Sequence, residues 1–367
     1  MSENILKSEE RVAFALRTIY RKYGYLPYKM SKFEAYDLYV ANKEFLVGDG
    51  VITFNDTDGK LLALKPDVTL SIIKNGNDSE KQKVYYHENV YRISGETKQF
   101  KEIPQVGVEC IGKLGAYDIY ETVKLAMESL RAISEHFVLD ISHIGILASV
   151  LEEIGLGEEF NRETMRLLSE KNVHETRALC ERRGVTQAET DKLLTIVGSY
   201  GNMRAVLQKI QPLCQTPKAQ EAYKELAVLC DLLEKNGYGD NARFDFSVIN
   251  DMKYYNGIVF KGFIDGVCEG VLSGGRYDKL LQSMGRKSNA IGFAVYLDLL
   301  EGFQKRKTEY DVDALVLYDE STDTAMLAQQ IDALTQSGES VRAQQEKETG
   351  KVRFKKIFDF TAKGEKL

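Results

Sequence analysis

Apolar residues recur at helical spacing near the start of the chain. Val12, Ala13, Leu16, Ile19 and Tyr20 share one face and predict a helix over residues 8–22. Gly24, between Tyr23 and Tyr25, is placed to end it as a left-handed cap. Residues 44–64 read as a β-hairpin turning at Asp58-Gly59. Lys65-Pro66-Asp67-Val68-Thr69 closes the second strand and opens a helix, with Asp67 or Thr69 serving its N-terminus. Strong alternation in KVYYHENVYRI (83–93) and IPQVGVECIG (103–112) predicts an antiparallel pair of strands. Even spacing puts Gln105, Gly107 and Glu109 on one sheet face. An amphipathic helix is expected over 122–137, burying Val123, Ala126, Met127, Leu130, Ile133 and Phe137, followed by a strand over 138–146.

The pattern then changes. Residues 147–239 carry no strand signal, and helical segments end at Gly155, Gly184, Gly201 and Gly237, as in an inserted all-helical subdomain with a charged, solvated surface. Strand character returns in 242–249, in Asn250–Phe260 (NDMKYYNGIVF) and in 266–281, while 290–300 passes from a strand into a helix. In Asn250–Phe260, adjacent tyrosines and β-branched residues predict a strand whose alternate side chains face a pocket. From Val312 a strand, a helix and a short strand make one β-α-β unit, and the lysine-rich tail Lys351–Leu367 reads as a frayed end. The expected fold is therefore α+β, an antiparallel sheet flanked by helices. Its core comprises 1–146 and 240–305, with a helical insertion at 147–239 and a short C-terminal α/β unit at 306–367.

Composition narrows the function classes. A hydrophobic share of 43% and a charged share of 28% over 367 residues describe an ordinary globular chain. A net charge of -6 and a pI near 5.5 give no global attraction to nucleic acid. No apolar run reaches the ~18 residues needed to cross a bilayer, and the charged N-terminus is unlike a signal peptide. Cys110, Cys180, Cys214, Cys230 and Cys268 are scattered without a CxxC spacing and read as reduced cysteines of a cytoplasmic protein. The four histidines do not cluster, so neither a metal site nor a cofactor is expected.

Asp67, Thr69, Arg92, Gln105, Glu109, Tyr254 and Tyr255 sit where a core would prefer apolar side chains. Two carboxylates, an amide, an arginine and tyrosine hydroxyls on one face suit a zwitterion: carboxylates hold an ammonium and a guanidinium forks onto a carboxylate. Outward-facing polar residues at strand ends are the plain alternative.

Several segments together resemble the catalytic core of class II aminoacyl-tRNA synthetases, specifically histidyl-tRNA synthetase. RKYGY with FEAYDLY resembles the first motif, with Ser31 where a proline is usual; YYHENVYRI with IPQVGVECIG resembles the second, and AIGFAVYLDLL the third. LALKPDVT is similar to L-T-L-R-P-E-G-T, GGRYDKLL to G-G-R-Y-D-x-L, and NDMKYYN to the histidine motif R-G-L-D-Y-Y-N. The resemblance implies amino-group contacts at Asp67, Thr69 and Gln105, imidazole contacts at Glu109 and Tyr255, and Arg92 bridging carboxylate and α-phosphate. It also implies a damaged nucleotide half. Asn250 and Lys253 replace the arginine and aspartate of the histidine motif, Leu299 replaces the adenine-stacking arginine, and Tyr296 replaces a glycine. Removing one such fixed cation costs roughly 10²–10³ in rate.

A kept amino-acid pocket beside a lost activation site is similar to the regulatory subunits of short-form ATP phosphoribosyltransferase, non-catalytic paralogues of histidyl-tRNA synthetase. Membership implies a homodimer within a hetero-oligomer with the catalytic subunit, serving the first step of histidine biosynthesis, with histidine as feedback effector and no tRNA. Histidine then sits against Glu109, Gln105 and Tyr255 or near a subunit interface. The alternatives are a divergent synthetase-like enzyme that still activates an amino acid with ATP, and an RNA-binding remnant, which the acidic pI opposes.

Overall fold

The computed structural model describes residues 7–46, 50–93, 97–249, 254–300, 303, 310–345 and 352–361. The chain divides into two units, Met1–Phe303 and Gln304–Leu367.

In the first unit, α1 (Ser8–Lys22) follows the expected apolar stripe and ends before Gly24, whose φ of 78° is the left-handed cap the sequence required. Next come β1 (Leu26–Pro27), β2 (Phe33–Ala35), α2 (Tyr36–Ala41), β3 (Thr53–Asn55) and β4 (Leu61–Leu64). The last two strands form the expected antiparallel hairpin, and β2 joins β4 to make a small three-stranded sheet. α3 (Thr69–Asn75) opens where expected, but Asp67 serves it from outside: its carboxylate accepts the Leu70 N–H at 3.0 Å.

The long strands β5 (Gln82–Ile93) and β6 (Phe100–Gly112) pair antiparallel, Tyr86 opposite Gly107 and Val84 opposite Glu109. α4 spans Ala116–Ile133, six residues earlier at its start than the apolar stripe alone predicts. Its C-cap Ser134 is already extended, so Phe137 leaves the helix and begins β7 (Phe137–His143). β7 stops at His143, whose Nδ1 accepts the Gly145 N–H at 3.1 Å and caps α5 (Ile144–Ile154); the expected strand through 146 is corrected accordingly.

The insertion continues with α6 (Glu158–Ser169), α7 (Val173–Arg182), α8 (Gln187–Val197), β8 (Tyr200–Gly201), α9 (Met203–Ile210) and α10 (Pro217–Lys235). It is not free of strand: Tyr200–Gly201 pairs with β9 (Ala242–Asp245), and α8 ends at Gly198 rather than at Gly201. The core resumes with β10 (Ile258–Ile264), β11 (Leu272–Arg276), α11 (Asp278–Ser283) and β12 (Asn289–Tyr296), then one 3-10 turn at Asp298–Leu300. Of the strand expected over Asn250–Phe260, residues 250–253 lie outside the described residues, and in the rest it starts at Ile258, with Tyr254 in a turn before it.

These strands form one sheet in the order β1-β5-β6-β12-β11-β10-β7-β9-β8, antiparallel except for β1–β5 and β7–β9. α1 and α4 cover one face. There Val106, Val108, Ile291, Phe293 and Val295 are buried with Leu16, Val123, Met127 and Leu130. Each such side chain contributes about 1.5–3 kcal/mol by leaving water. The opposite face carries a smaller cluster around Tyr86, Tyr254 and Tyr277, roofed by α3 and Tyr39. Polar residues of β6 therefore face a partly filled space rather than solvent.

The C-terminal unit contains β13 (Val312–Tyr318), α12 (Thr324–Gln336), β14 (Val341–Gln345) and β15 (Phe354–Asp359). α12 buries Leu327 and Leu334 against Ala314 and Val316. The frayed-end reading of the tail is wrong for residues 354–359, which pair parallel with β13 and set Lys355 against Asp313. Phe358 packs with the Ala314–Val316 cluster, so one aromatic anchors a strand that otherwise reads as solvated lysines. Among the described residues no helix is long and apolar enough to cross a membrane.

Candidate functional site

A cavity of about 320 Å³ opens on the sheet face away from α4. Asp67, Thr69, Arg92, Gln105, Glu109, Tyr254 and Tyr255 all line it, so the seven residues singled out from sequence come together in space. Gln105 and Glu109 arrive by strand alternation on β6, and Asp67 and Thr69 by the turn into α3. Tyr254 and Tyr255 are neighbours in sequence, yet both reach the cavity because they lie in a turn rather than on alternating faces. Their rings are 4.7 Å apart.

The floor is made flat by glycine. On the cavity face, Gly292 of β12 lies opposite Glu109, and Gly107 lies opposite Tyr86. A Cβ at Gly292 would sit 1.8 Å from the Glu109 carboxylate, and one at Gly107 would sit 2.4 Å from the Tyr86 hydroxyl. Gly275 leaves the same room for Tyr255, whose ring would meet an added Cβ at 2.7 Å. Three wide side chains thus lean across neighbouring strands because three positions have none.

Glu109 is 3% exposed and fully engaged. Thr69 Oγ1 donates to one carboxylate oxygen at 2.9 Å and the Tyr277 hydroxyl donates to the other. Burial pushes its pKa up to about 8, Asp67 adds to the rise, and the two hydroxyl donors restrain it. Asp67 is also raised by burial, against the Leu70 N–H and the positive charge of Arg92. Arg92 is braced by its Nε donating to Pro66 O at 2.9 Å, which ties β5 to the loop carrying Asp67. Burial thus disfavours negative charge on both carboxyls.

That charge predicts a pH dependence. Between its ordinary 4.5 and about 8, Glu109 is protonated in the folded protein and ionised in the unfolded chain. Stability of the empty protein therefore falls as pH rises through this window. Denaturant unfolding from pH 5 to 8.5 is expected to give a shallower decline for Glu109→Gln than for the wild type. Equal slopes would refute the assignment of the proton to Glu109.

At the far end, Tyr296 lies across the neighbouring strand with its hydroxyl 2.7 Å from Ser273 Oγ. Leu299 is turned away from the cavity and packs against the core under α1 and α4. Asn250 and Lys253 lie outside the described residues. Among the described residues no group of three metal-ligating side chains is present.

Sequence reasoning gave no role to Tyr277, Tyr86, Ser273 or Gly292. Alternation in YYHENVY marked Tyr86 as one of two candidate faces, and Tyr277 stood beside the arginine of GGRYD; neither pattern revealed a partner across the sheet.

The sheet, the inserted helices and this cavity define a class II synthetase-type core of the histidine branch. A sequence profile for histidyl-tRNA synthetase matches residues 2–300. The ATP phosphoribosyltransferase regulatory subunit of Halothermothrix orenii is 31% identical over 345 residues, covering 87% of this chain and 82% of that protein. The chain belongs to the family of ATP phosphoribosyltransferase regulatory subunits. In solved structures, an ATP phosphoribosyltransferase regulatory subunit/histidyl-tRNA synthetase from Bacillus halodurans superposes with a TM-score of 0.80 at 24% identity, covering 96% of this chain and 94% of that one. A chain of the ATP phosphoribosyl transferase (HisG:HisZ) complex from Thermotoga maritima has a TM-score of 0.62 at 17% identity, covering 79% and 97% respectively. These two likenesses concern the fold.

Proposed function

We propose that this chain is the non-catalytic partner of a short-form ATP phosphoribosyltransferase catalytic subunit. Together they carry out the first step of histidine biosynthesis, and histidine bound to this chain inhibits the assembly. Family membership supports the partnership, and the structure from Thermotoga maritima is itself of a phosphoribosyl transferase complex. The observation that carries the ligand is the cavity with the Glu109–Thr69–Tyr277 triad at one end and the Tyr296–Ser273 contact at the other.

At about 320 Å³ the cavity lies at the small end of the ~300–1,000 Å³ typical of ligand sites. It suits an amino acid better than an amino acid with a nucleotide. Asp67, Thr69 and Gln105 hold the ammonium, Arg92 takes the carboxylate, and Glu109 with Tyr255 faces the imidazole. Tyr296 covers the strand on which, by resemblance to the synthetases, adenine would rest. Feedback follows when histidine binds one state of the assembly better than the other; an inhibition of ~5–150-fold needs a coupling of only about 1–3 kcal/mol.

Mixing the chain with a short-form catalytic subunit tests this reading. Co-elution, a rise in phosphoribosyl transfer and its suppression by histidine are expected; failure to associate would sink it. The second reading, a synthetase-like enzyme, draws on Arg92, which still lines the cavity. Histidine-dependent exchange of pyrophosphate into ATP is expected to be at background, because the loss of one or two fixed cations costs about 10²–10³ each. Exchange at enzymatic rates would favour the second reading.

A further inference from the structure

The helical insertion reaches the amino-acid cavity through charge. Glu225, on the inner side of α10, accepts from Arg276 Nη1 at 3.1 Å and contacts His143 Nε2 at 2.7 Å. Arg276 ends β11 and faces a second cavity of about 560 Å³ beneath α10; the next residue, Tyr277, faces the amino-acid cavity. From its other nitrogen, Arg276 Nε donates to Asp278 Oδ2 at 2.8 Å. Asp278, 4% exposed, accepts from Asn256 Nδ2 at 3.3 Å, Asn289 Nδ2 at 2.9 Å and the Ala290 N–H at 3.0 Å. Asn256 returns the contact, its Oδ1 accepting the Asp278 N–H at 2.7 Å, and its own N–H donates to Arg276 O at 3.0 Å.

The chain of contacts therefore ends on the turn that carries Tyr254 and Tyr255. The same turn meets the insertion again, since the Ile144 N–H that opens α5 donates to Gly257 O at 2.9 Å. Burial raises the Glu225 carboxyl, but His143 and Arg276 outweigh it and hold it below the usual carboxylate range, so it is ionised in place. Arg276, Glu225 and Asp278 are each no more than a quarter exposed, so these pairs are stronger than surface ones and their loss strands buried charge.

We propose that Glu225 and Arg276 are positioning residues for the amino-acid cavity, by which α10 of the insertion sets the Tyr254–Tyr255 turn and the Tyr277 hydroxyl. The insertion then senses occupancy: a ligand that orders the turn tightens the insertion on the core, and loosening the insertion weakens the ligand. Such coupling is reciprocal by thermodynamic necessity. The ligand half rests on the histidine reading above; the link between α10 and the turn does not.

The test uses the full chain with Glu225→Gln, Arg276→Lys and the double variant, accepted for comparison when their thermal midpoints show a folded protein. Without ligand, amide hydrogen exchange at Asn256, Asp278 and Ala290 is expected to quicken in either variant. With histidine, calorimetry is expected to give affinities about three- to tenfold weaker for each single variant, and no further loss in the double, the signature of two groups in one relay. Histidine is also expected to slow exchange in α10 of the wild type but not of Glu225→Gln, which a merely structural role would not produce. Unchanged exchange at the turn in both single variants overturns the proposal. So does wild-type histidine affinity in Glu225→Gln, or additive losses in the double variant. If the wild type binds no histidine, the ligand reading fails and the turn exchange alone decides the relay.

Discussion

Glu109→Ala is expected to weaken histidine binding roughly 10²–10³-fold and to abolish feedback in the reconstituted assembly. Removing a buried hydrogen-bonding partner costs about 1–3 kcal/mol for each group left unsatisfied. Here Thr69 Oγ1 and the Tyr277 hydroxyl lose their shared acceptor at once, inside a cavity where water replaces it poorly. In the proposed placement of histidine, the imidazole would lose Glu109 while Asp67 and Gln105 stayed in place for the ammonium. Calorimetry and the inhibition curve with histidine check this together. If feedback survives the substitution, histidine acts from another site, such as a subunit interface.

Gly292→Ala is expected to strike the fold and the site together. The new methyl would stand 1.8 Å from the Glu109 carboxylate and 2.5 Å from Val108 O. The carboxylate can swing only by abandoning Tyr277 or Thr69, and the carbonyl belongs to the ladder between β6 and β12. Overpacking of this kind costs about 1–3 kcal/mol, occasionally more, on the order of 2–5 °C in thermal midpoint for a unit of this size. A scanning-calorimetry trace matching the wild type, with histidine binding intact, would contradict the geometry. Ala294→Gly, on the same face of β12, serves as a control that opens space instead of filling it.

Much of this architecture could be read from apolar spacing. α1 and the β5–β6 pair follow their periods directly, because each buries one face against a continuous core. Alternation alone put Gln105 and Glu109 on one face, and the order of short motifs related the chain to the histidine synthetases. Less legible were features set by distant partners. Ser134, an ordinary residue in a helical pattern, breaks α4 because the chain must turn into β7 there. Tyr200–Gly201 looks like a loop between helices until β9 offers it a ladder. Residues 354–359 read as a charged tail because β15 takes its order from a parallel pairing with β13, a contact that no local pattern announces. β propensity points the Tyr254–Tyr255 pair to a strand, but the turn that holds it is fixed by Asn256 and Asp278. Likewise nothing local connects Glu225 to Arg276, 51 positions away.

The chain has no tryptophan and 20 tyrosines, and five of those, Tyr86, Tyr254, Tyr255, Tyr277 and Tyr296, line the cavity above β6 and β12. A quarter of the tyrosines thus stand at one spot, with no indole signal above them. An entering ligand changes the polarity around all five hydroxyls, so absorbance difference spectra and near-ultraviolet dichroism report on filling of the cavity in unlabelled protein.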